Sequence, residues 1–469
     1  MATSLIAKPQ SITTAYNPVK YIYDSTNKNE DGFRYIYDIY NSGGTKIAEY
    51  RLLPNIDGYG EIDLSRLLQN YVSFDFDDSI TSSFDAINSY YEYEVRVGEE
   101  YIEDVSYTAS LTQNGTYTTI TATHAFQVGD QVVITQVSPG TDNPNLEGLH
   151  TVTSINTTVD FTVNALWSEI TDATIDGTVS YADNRKTVTR DIVTVSSVYV
   201  TNGAFGFTDW TGYLEANYIL DGNKDFFWTY APRTFNLTLD QDLWTNFGTN
   251  NVATGYCYFE NSTGDIFRKT VTASGLISQV SVGCNNFGTL ALVSGSGSLI
   301  EDDVDYYDYW YANSAGTQHS TKYRINIDRR CKINDYEIAF LDRLGSIGSF
   351  AFQLRDKLTG SVTKETYNQH IEGSVASSTW GYELTAQGQK VINPTIKETY
   401  NLETNWMNED DASYFTQLVS SPQTWIKIGG TYYSCIVEDK GYEKERQRNK
   451  NLIRKSLKVS LSVQDVVNG

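Results

Sequence analysis

Residues 33–40 alternate Phe33, Tyr35, Tyr37 and Ile39 with Arg34, Ile36, Asp38 and Tyr40, a period of two that gives an extended strand two distinct faces. Both faces carry apolar or aromatic surface, so such a strand needs partners on more than one side. Short runs of this kind recur along the chain between turns rich in Gly, Asn and Asp. The composition agrees. Of 469 residues 35 are Tyr and only two are Met, while Thr, Val, Ile and Asn are frequent. These are strand and turn formers. The expected fold class is therefore mainly β, with several antiparallel sandwich or barrel domains and a few short helices.

Four segments follow from the pattern. Residues 1–105 read as a β-rich domain with one short helix: strands at 20–23 and 33–40 form an expected antiparallel hairpin, and Leu64, Leu67, Leu68, Tyr71 and Val72 share a helical face with Asp63 placed to cap. Residues 106–185 change to short Thr- and Val-rich strands with closely spaced turns, as in a small inserted barrel. Residues 186–320 read as sandwich material and 321–469 as a C-terminal β domain. The clearest helix is 409–419, with Asn408 as N-cap, Glu409, Asp410 and Asp411 in the first turn, and Ala412, Phe415, Leu418 and Val419 as the buried stripe.

The charge excludes some functions. With 58 Asp and Glu against 35 Lys and Arg the formal charge is −23, which argues against a nucleic-acid-binding surface spread over the protein. The opening residues hold too short an apolar run for an export signal, and no stretch reaches the ~18 apolar residues of a membrane-spanning helix. A soluble chain without a signal peptide and with no membrane partner is the expectation. Cys257, Cys284, Cys331 and Cys435 are too far apart for a zinc site or a disulfide framework. No phosphate-cradling loop, dinucleotide fingerprint or nucleophile elbow occurs, so no catalytic residue and no cofactor is assigned.

Two constellations remain. Asn27, Asn29 and Asp31, with Gly32 at the sixth place and Asp38 at the twelfth, match the oxygen spacing of a calcium loop, although Asp38 falls inside a strand where such a loop would continue as a helix. Residues 440–458 carry eight basic side chains against Glu443 and Glu445, a local charge of +6 that leaves −29 on the rest. Within this arm Lys444, Arg446, Arg448, Lys450, Arg454 and Lys455 are the candidate subunit-docking residues. A basic arm on an acidic body suits head-to-tail contact between copies, because a heterologous interface needs two different, complementary patches on each subunit. The acidic run 301–308 could bind cations or supply a glycosidase carboxylate pair, against the plainer reading of a solvated loop or edge strand, and Trp210, Trp228 and Trp310 are read as exposed aromatics near carboxylates that could bind a glycan. His124 and His150 read as local hydrogen-bonding groups at strand ends.

Residues 17–23, 33–40 and 54–72 together resemble the N-terminal region of tail-type structural proteins of tailed-bacteriophage virions. Residues 124–134, 146–155 and 161–163 are similar to a small β-barrel module inserted in many virion proteins, and 406–422 with the strands beyond resemble the C-terminal part of the same tail-type proteins. The resemblance implies a non-enzymatic virion component in the tail or neck, a ring or adaptor subunit that forms homo-oligomers and contacts other tail and neck proteins. The alternative is a tail-tip or fibre-type protein that binds a host surface glycan. No catalytic residue comes with the resemblance, and it leaves 190–320 uncovered.

Overall fold

The computed structural model describes all residues except 1–2, 75, 80–82, 104–105, 125, 139–145, 167–173, 183–184, 219–226, 249–254, 272–274, 331–335, 371–372, 377–378, 383–387, 440, 442–452, 464 and 467–469. The chain is mainly β, with several antiparallel sheets, one closed six-stranded barrel and a few short helices. It divides into two compact units, each drawn from three stretches: 1–9, 20–63 and 92–198 in the first, and 10–19, 64–91 and 199–469 in the second.

In the first unit, β1 (Thr3–Ala7), β2 (Lys20–Ser25) and β5 (Gly60–Asp63) form one sheet in the order β1-β2-β5. A second sheet holds β13 (Arg185–Thr201), β6 (Tyr90–Glu103), β3 (Arg34–Asn41) and β4 (Lys46–Leu52) side by side. The expected hairpin of 20–23 with 33–40 is thus not formed: β2 and β3 lie in different sheets and meet through their side chains. Tyr21, Tyr23, Tyr35, Tyr37 and Tyr93 are fully buried, with the Tyr23 and Tyr37 rings edge to face at 5.9 Å and the Tyr21 and Tyr93 hydroxyls bonded at 2.9 Å. No ladder bonds are lost by this, since β2 pairs with β1 and β5 and β3 with β4 and β6, and stacking the two sheets buries the tyrosines between them.

The barrel follows, ordered β8-β11-β10-β9-β12-β7 with β7 (Ser106–Asn114), β8 (Tyr117–Thr121), β9 (Gln131–Ser138), β10 (Gly148–Ile155), β11 (Asp160–Leu166) and β12 (Thr174–Tyr181). Closure removes the open edges that short strands otherwise present. Leu111, Ile120, Ile134, Val163 and Val179 fill its interior around Phe161.

In the second unit a six-stranded sheet runs β14-β21-β20-β16-β17-β19, with β14 (Thr234–Thr238), β16 (Gly255–Asn261), β17 (Ile266–Val271), β19 (Ala291–Ser294), β20 (Tyr306–Ala312) and β21 (Tyr323–Asp328). Between them in sequence, β15 (Trp244–Gly248) and β18 (Ile277–Ser281) pair with each other in a smaller sheet. An eight-stranded sheet holds β23-β22-β26-β27-β28-β25-β24, where β22 is Tyr336–Leu341, β23 Ile347–Phe352, β24 Arg355–Asn368, β25 Gln389–Glu403, β26 Thr424–Ile428, β27 Thr431–Val437 and β28 Ser456–Leu461; Asp465–Val466 adds to β25. Residues on both sides of 320 share one core, so that boundary separates nothing: Phe235 packs against Phe350 at 5.4 Å and Tyr414 at 5.6 Å.

Helix α1 (Glu409–Ser420) begins as expected, with the Asn408 side chain accepting from the Asp411 N–H at 2.7 Å. Asp411, Ala412, Tyr414, Phe415 and Leu418 are its buried residues, Val419 of the expected stripe is half-buried, and Phe415 packs on Phe350 at 5.2 Å. The helix expected over 62–72 is shorter. Strand pairing with β2 carries β5 through Asp63, so Leu64 takes the cap position and only Ser65–Leu68 is α-helical before a 3-10 turn at Gln69–Tyr71.

Candidate functional site

The outward face of β16 and β20 is built by strand alternation. Cys257, Phe259, Tyr307, Tyr309 and Tyr311 point into the core, which leaves Tyr256, Tyr258 and Glu260 on β16 and Tyr306, Asp308 and Trp310 on β20 for the opposite face. Cross-strand pairing sets Tyr258 opposite Trp310 and Glu260 opposite Asp308. The Tyr258 and Trp310 rings stack at 5.5 Å with planes 10° apart, and Tyr256 meets Tyr258 edge to face at 6.1 Å.

Cations from the flanking strands complete the ladder. The Lys322 ammonium lies 4.2 Å from the Trp310 ring centre, Arg324 lies 3.9 Å from Tyr306, and Arg268 lies 4.3 Å from Tyr256. Each such contact is worth about 0.5–1 kcal/mol at an exposed site. Arg324 also holds both oxygens of Asp308, at 2.8 and 3.0 Å, and Lys322 holds Glu260 at 2.6 Å. Glu260 and Asp308 are paired with Lys322 and Arg324, so the face presents the half-buried Tyr256, Tyr258 and Tyr306 rings among paired charges over a buried Trp310. Aromatics with Arg are the residues that dominate binding energy at interfaces.

A second polar cluster lies under β22 and β26. Lys427 Nζ donates to Asp242 Oδ2 at 2.6 Å and to Glu337 Oε2 at 3.3 Å, the Asp242 N–H donates to Glu337 Oε1 at 3.0 Å, and Tyr432 donates to Asp242 at 2.9 Å. Burial, and then the Asp242 charge, push Glu337 up to about 8. Burial opposes the charge on Lys427, but the Glu337 and Asp242 carboxylates outweigh it and hold the ammonium above its ordinary value. A cavity of about 380 Å³ opens beside the cluster, lined by Tyr336, Asn285, Gln353, Glu337 and Lys427 among others. Nothing in the sequence marks this cluster, because Asp242, Glu337 and Lys427 come from three distant segments.

The calcium spacing does not assemble. Asn27 donates to Glu99 at 2.7 Å, and the Asp31 carbonyl accepts from the Ile102 N–H at 2.7 Å. Asp38 is buried on β3 between Arg190 and Lys46, the latter at 2.9 Å. A strand advances about 3.3 Å per residue, which carries Asp38 roughly 20 Å beyond Gly32. Asn29 and Asp31 are exposed. Among the described residues no group of three or more His, Cys, Asp or Glu side chains is placed to hold a metal.

Of the basic arm, Lys444, Arg446, Arg448 and Lys450 lie outside the described residues. Arg454 sits 3.6 Å from Glu403 and 5.5 Å from the Trp406 ring centre, while the Lys455 backbone exchanges bonds with Thr404. These two therefore line their own chain. Beside them Arg355, Lys357 and Lys458 border a groove of about 510 Å³ with Glu403 and Glu438.

The tryptophans divide. Trp228 is fully buried against Phe205 and Tyr218 and is a core residue, not an exposed platform. Trp210 is half-buried and stacks on Tyr213 at 5.6 Å, and Trp310 is also not an exposed platform: it is 9% exposed, covered by the Tyr258 ring and the Lys322 ammonium. In the acidic run, Asp302 is fully exposed while Asp308 is held by Arg324. In the barrel His124 accepts from the Phe126 N–H at 3.2 Å and His150 bonds the Leu146 carbonyl at 2.9 Å. Cys257, Cys284 and Cys435 are buried free thiols.

No known protein family and no curated protein matches the sequence. Among solved structures, the adhesin domain of Epf from Streptococcus pyogenes is similar at 9% identity and a TM-score of 0.14, over 65% of this chain and 96% of that one. The alpha-2-macroglobulin of E. coli in its native conformation is similar at 8% identity and a TM-score of 0.13, over 98% of this chain and 40% of that one. Likeness at this level says nothing about what this chain binds.

Proposed function

We propose that this chain is a component of a tailed-bacteriophage virion that acts by contact and not by catalysis, and that the β16–β20 face recognises a glycan on the host surface. The half-buried rings of Tyr256, Tyr258 and Tyr306 carry the reading, with the buried Trp310 packed against Tyr258 as their support. Flat rings match the apolar faces of pyranose rings, while Glu260, Asp308, Arg324 and Lys322 at the edges offer acceptors and donors to sugar hydroxyls. The test is binding of the purified protein to immobilised cell-envelope polysaccharide from candidate hosts. Tyr256→Ala and Tyr258→Ala together should weaken binding at least tenfold while the protein stays folded, with the melting temperature lowered by the lost ring contacts. Undiminished binding by that variant would overturn the assignment of the face.

A second reading is a ring or adaptor subunit of the tail or neck, favoured by the separation of −29 on the body from +6 on residues 440–458. In that case electron microscopy of intact particles would place the chain in a closed ring, and neutralising Arg446, Arg448, Lys450 and Arg454 would disrupt assembly. Assembly unaffected by those changes removes the docking role.

A further inference from the structure

Strand β24 is an edge. On one side it pairs with β25, regularly from Arg355 opposite Glu403 to Lys364 opposite Pro394 and then, after a register shift between Lys364 and Thr366, to Asn368 opposite Gln389; on the other side no strand pairs with it among the described residues. It is 14 residues long, contains no Pro and is exposed over almost its whole length. Edges of this kind are normally kept short or blunted, because their free N–H and C=O groups recruit another strand. Gly360 stands in the middle. A side chain there would meet nothing within 4 Å, so no contact inside the chain calls for glycine. Glycine weakens a strand interior and often marks the close approach of another backbone.

The strand is complementary to itself about this glycine. Outward peptide groups alternate along a strand, so two antiparallel copies can pair only in registers centred on a residue, where outward groups meet outward groups. Centred on Gly360 and within the regular stretch that ends at Lys364, Asp356 stands opposite Lys364 of the other copy, Leu358 opposite Val362, and Thr359 opposite Ser361. The two-fold axis doubles every pair. Moving the centre to Thr359 sets Asp356 against Val362, and moving it to Ser361 sets Leu358 against Lys364, so either neighbouring register gives up the matched set. Leu358 and Val362 are 51% and 53% exposed, apolar side chains that this register would cover with each other. The Arg355 side chain is largely exposed, 3.8 Å from Glu403.

We propose that β24 is the pairing edge of a symmetric dimer, in which a second copy of this chain adds its own β24 antiparallel and centred on Gly360. The inference does not depend on the glycan face or on the place of the chain in a virion.

Charge reversal and cross-linking test it on the full chain. In sedimentation over a range of concentrations the protein should be dimeric. Asp356→Lys alone puts Lys opposite Lys364, and Lys364→Asp alone puts Asp opposite Asp356; each should raise the dimer dissociation constant at least tenfold. The double variant, with the pairs exchanged, should return to within about threefold of the starting protein. At the axis opposed Cα atoms stand about 4.5–5.5 Å apart, inside the disulfide range, so Gly360→Cys should cross-link under mild oxidation. Thr363→Cys, whose copies would lie roughly 20 Å apart, should not. A protein that stays monomeric, or a dimer indifferent to the single reversals, overturns the proposal.

Discussion

Glu337→Gln is expected to change the pH dependence of stability more than stability itself. Glu337 is fully buried, with one oxygen accepting from the Asp242 N–H and the other facing Lys427. Its carboxyl is raised from 4.5 to about 8 by burial and the Asp242 charge. A group whose folded value lies above its unfolded value stabilises the fold fully below the unfolded value, and that contribution is lost as pH rises through the folded one. For Glu337 the window runs from about 4.5 to about 8. Each pH unit within it is worth about 1.4 kcal/mol, so the loss across the window is at most about 5 kcal/mol. Gln cannot ionise and keeps the acceptor for Asp242, while its amide faces Lys427 at a cost of about 1 kcal/mol. The variant should therefore be slightly less stable at pH 5 and clearly more stable at pH 8. Urea unfolding at pH 5, 6, 7 and 8, followed by tryptophan fluorescence, reads this directly. Trp425 stacks on Phe76 at 4.3 Å, and Tyr432 of the cluster meets the same ring at 5.1 Å. Asp411 and Asp342, raised by burial to about 7 and about 6, tilt both curves alike, so the difference isolates Glu337. Curves that stay parallel from pH 5 to pH 8 would refute the reasoning.

Asn408→Ala removes the side-chain acceptor at the start of α1 and should cost about 1 kcal/mol in urea unfolding, with Asn408→Asp close to neutral. Asp38→Ala leaves Arg190 and Lys46 without their shared buried carboxylate and should cost about 2 kcal/mol, less than a fully buried pair because both cations are partly solvated. Calcium added in place of EDTA should leave the melting temperature unchanged; a rise of several degrees would mean that Asn27, Asn29, Asp31 and Asp38 do converge on an ion.

Much of the fold was legible in short stretches. Alternation in 33–40 predicts a strand with two apolar faces, and β3 is buried on both. Asn408 with the acidic turn behind it predicts a helix start, and the cap bond forms there. Such signals survive because they depend on neighbours within a few residues. The hairpin of 20–23 with 33–40 failed for the opposite reason: whether two strands pair or stack is settled by where Tyr21, Tyr37 and Tyr93 are buried, and Tyr93 is far away in sequence.

The sequence by itself determined the class, since a period of two admits only sheets, and the strong acidity of the chain. Only the tertiary structure decided which faces are covered. Trp210, Trp228 and Trp310 look alike as residues in aromatic runs, yet Trp228 and Trp310 are buried and Trp210 is half-buried against Tyr213. The same holds for the Asp242, Glu337 and Lys427 cluster and for the open edge of β24. Period and spacing say which side chains share a face; long-range pairing says what, if anything, lies against it.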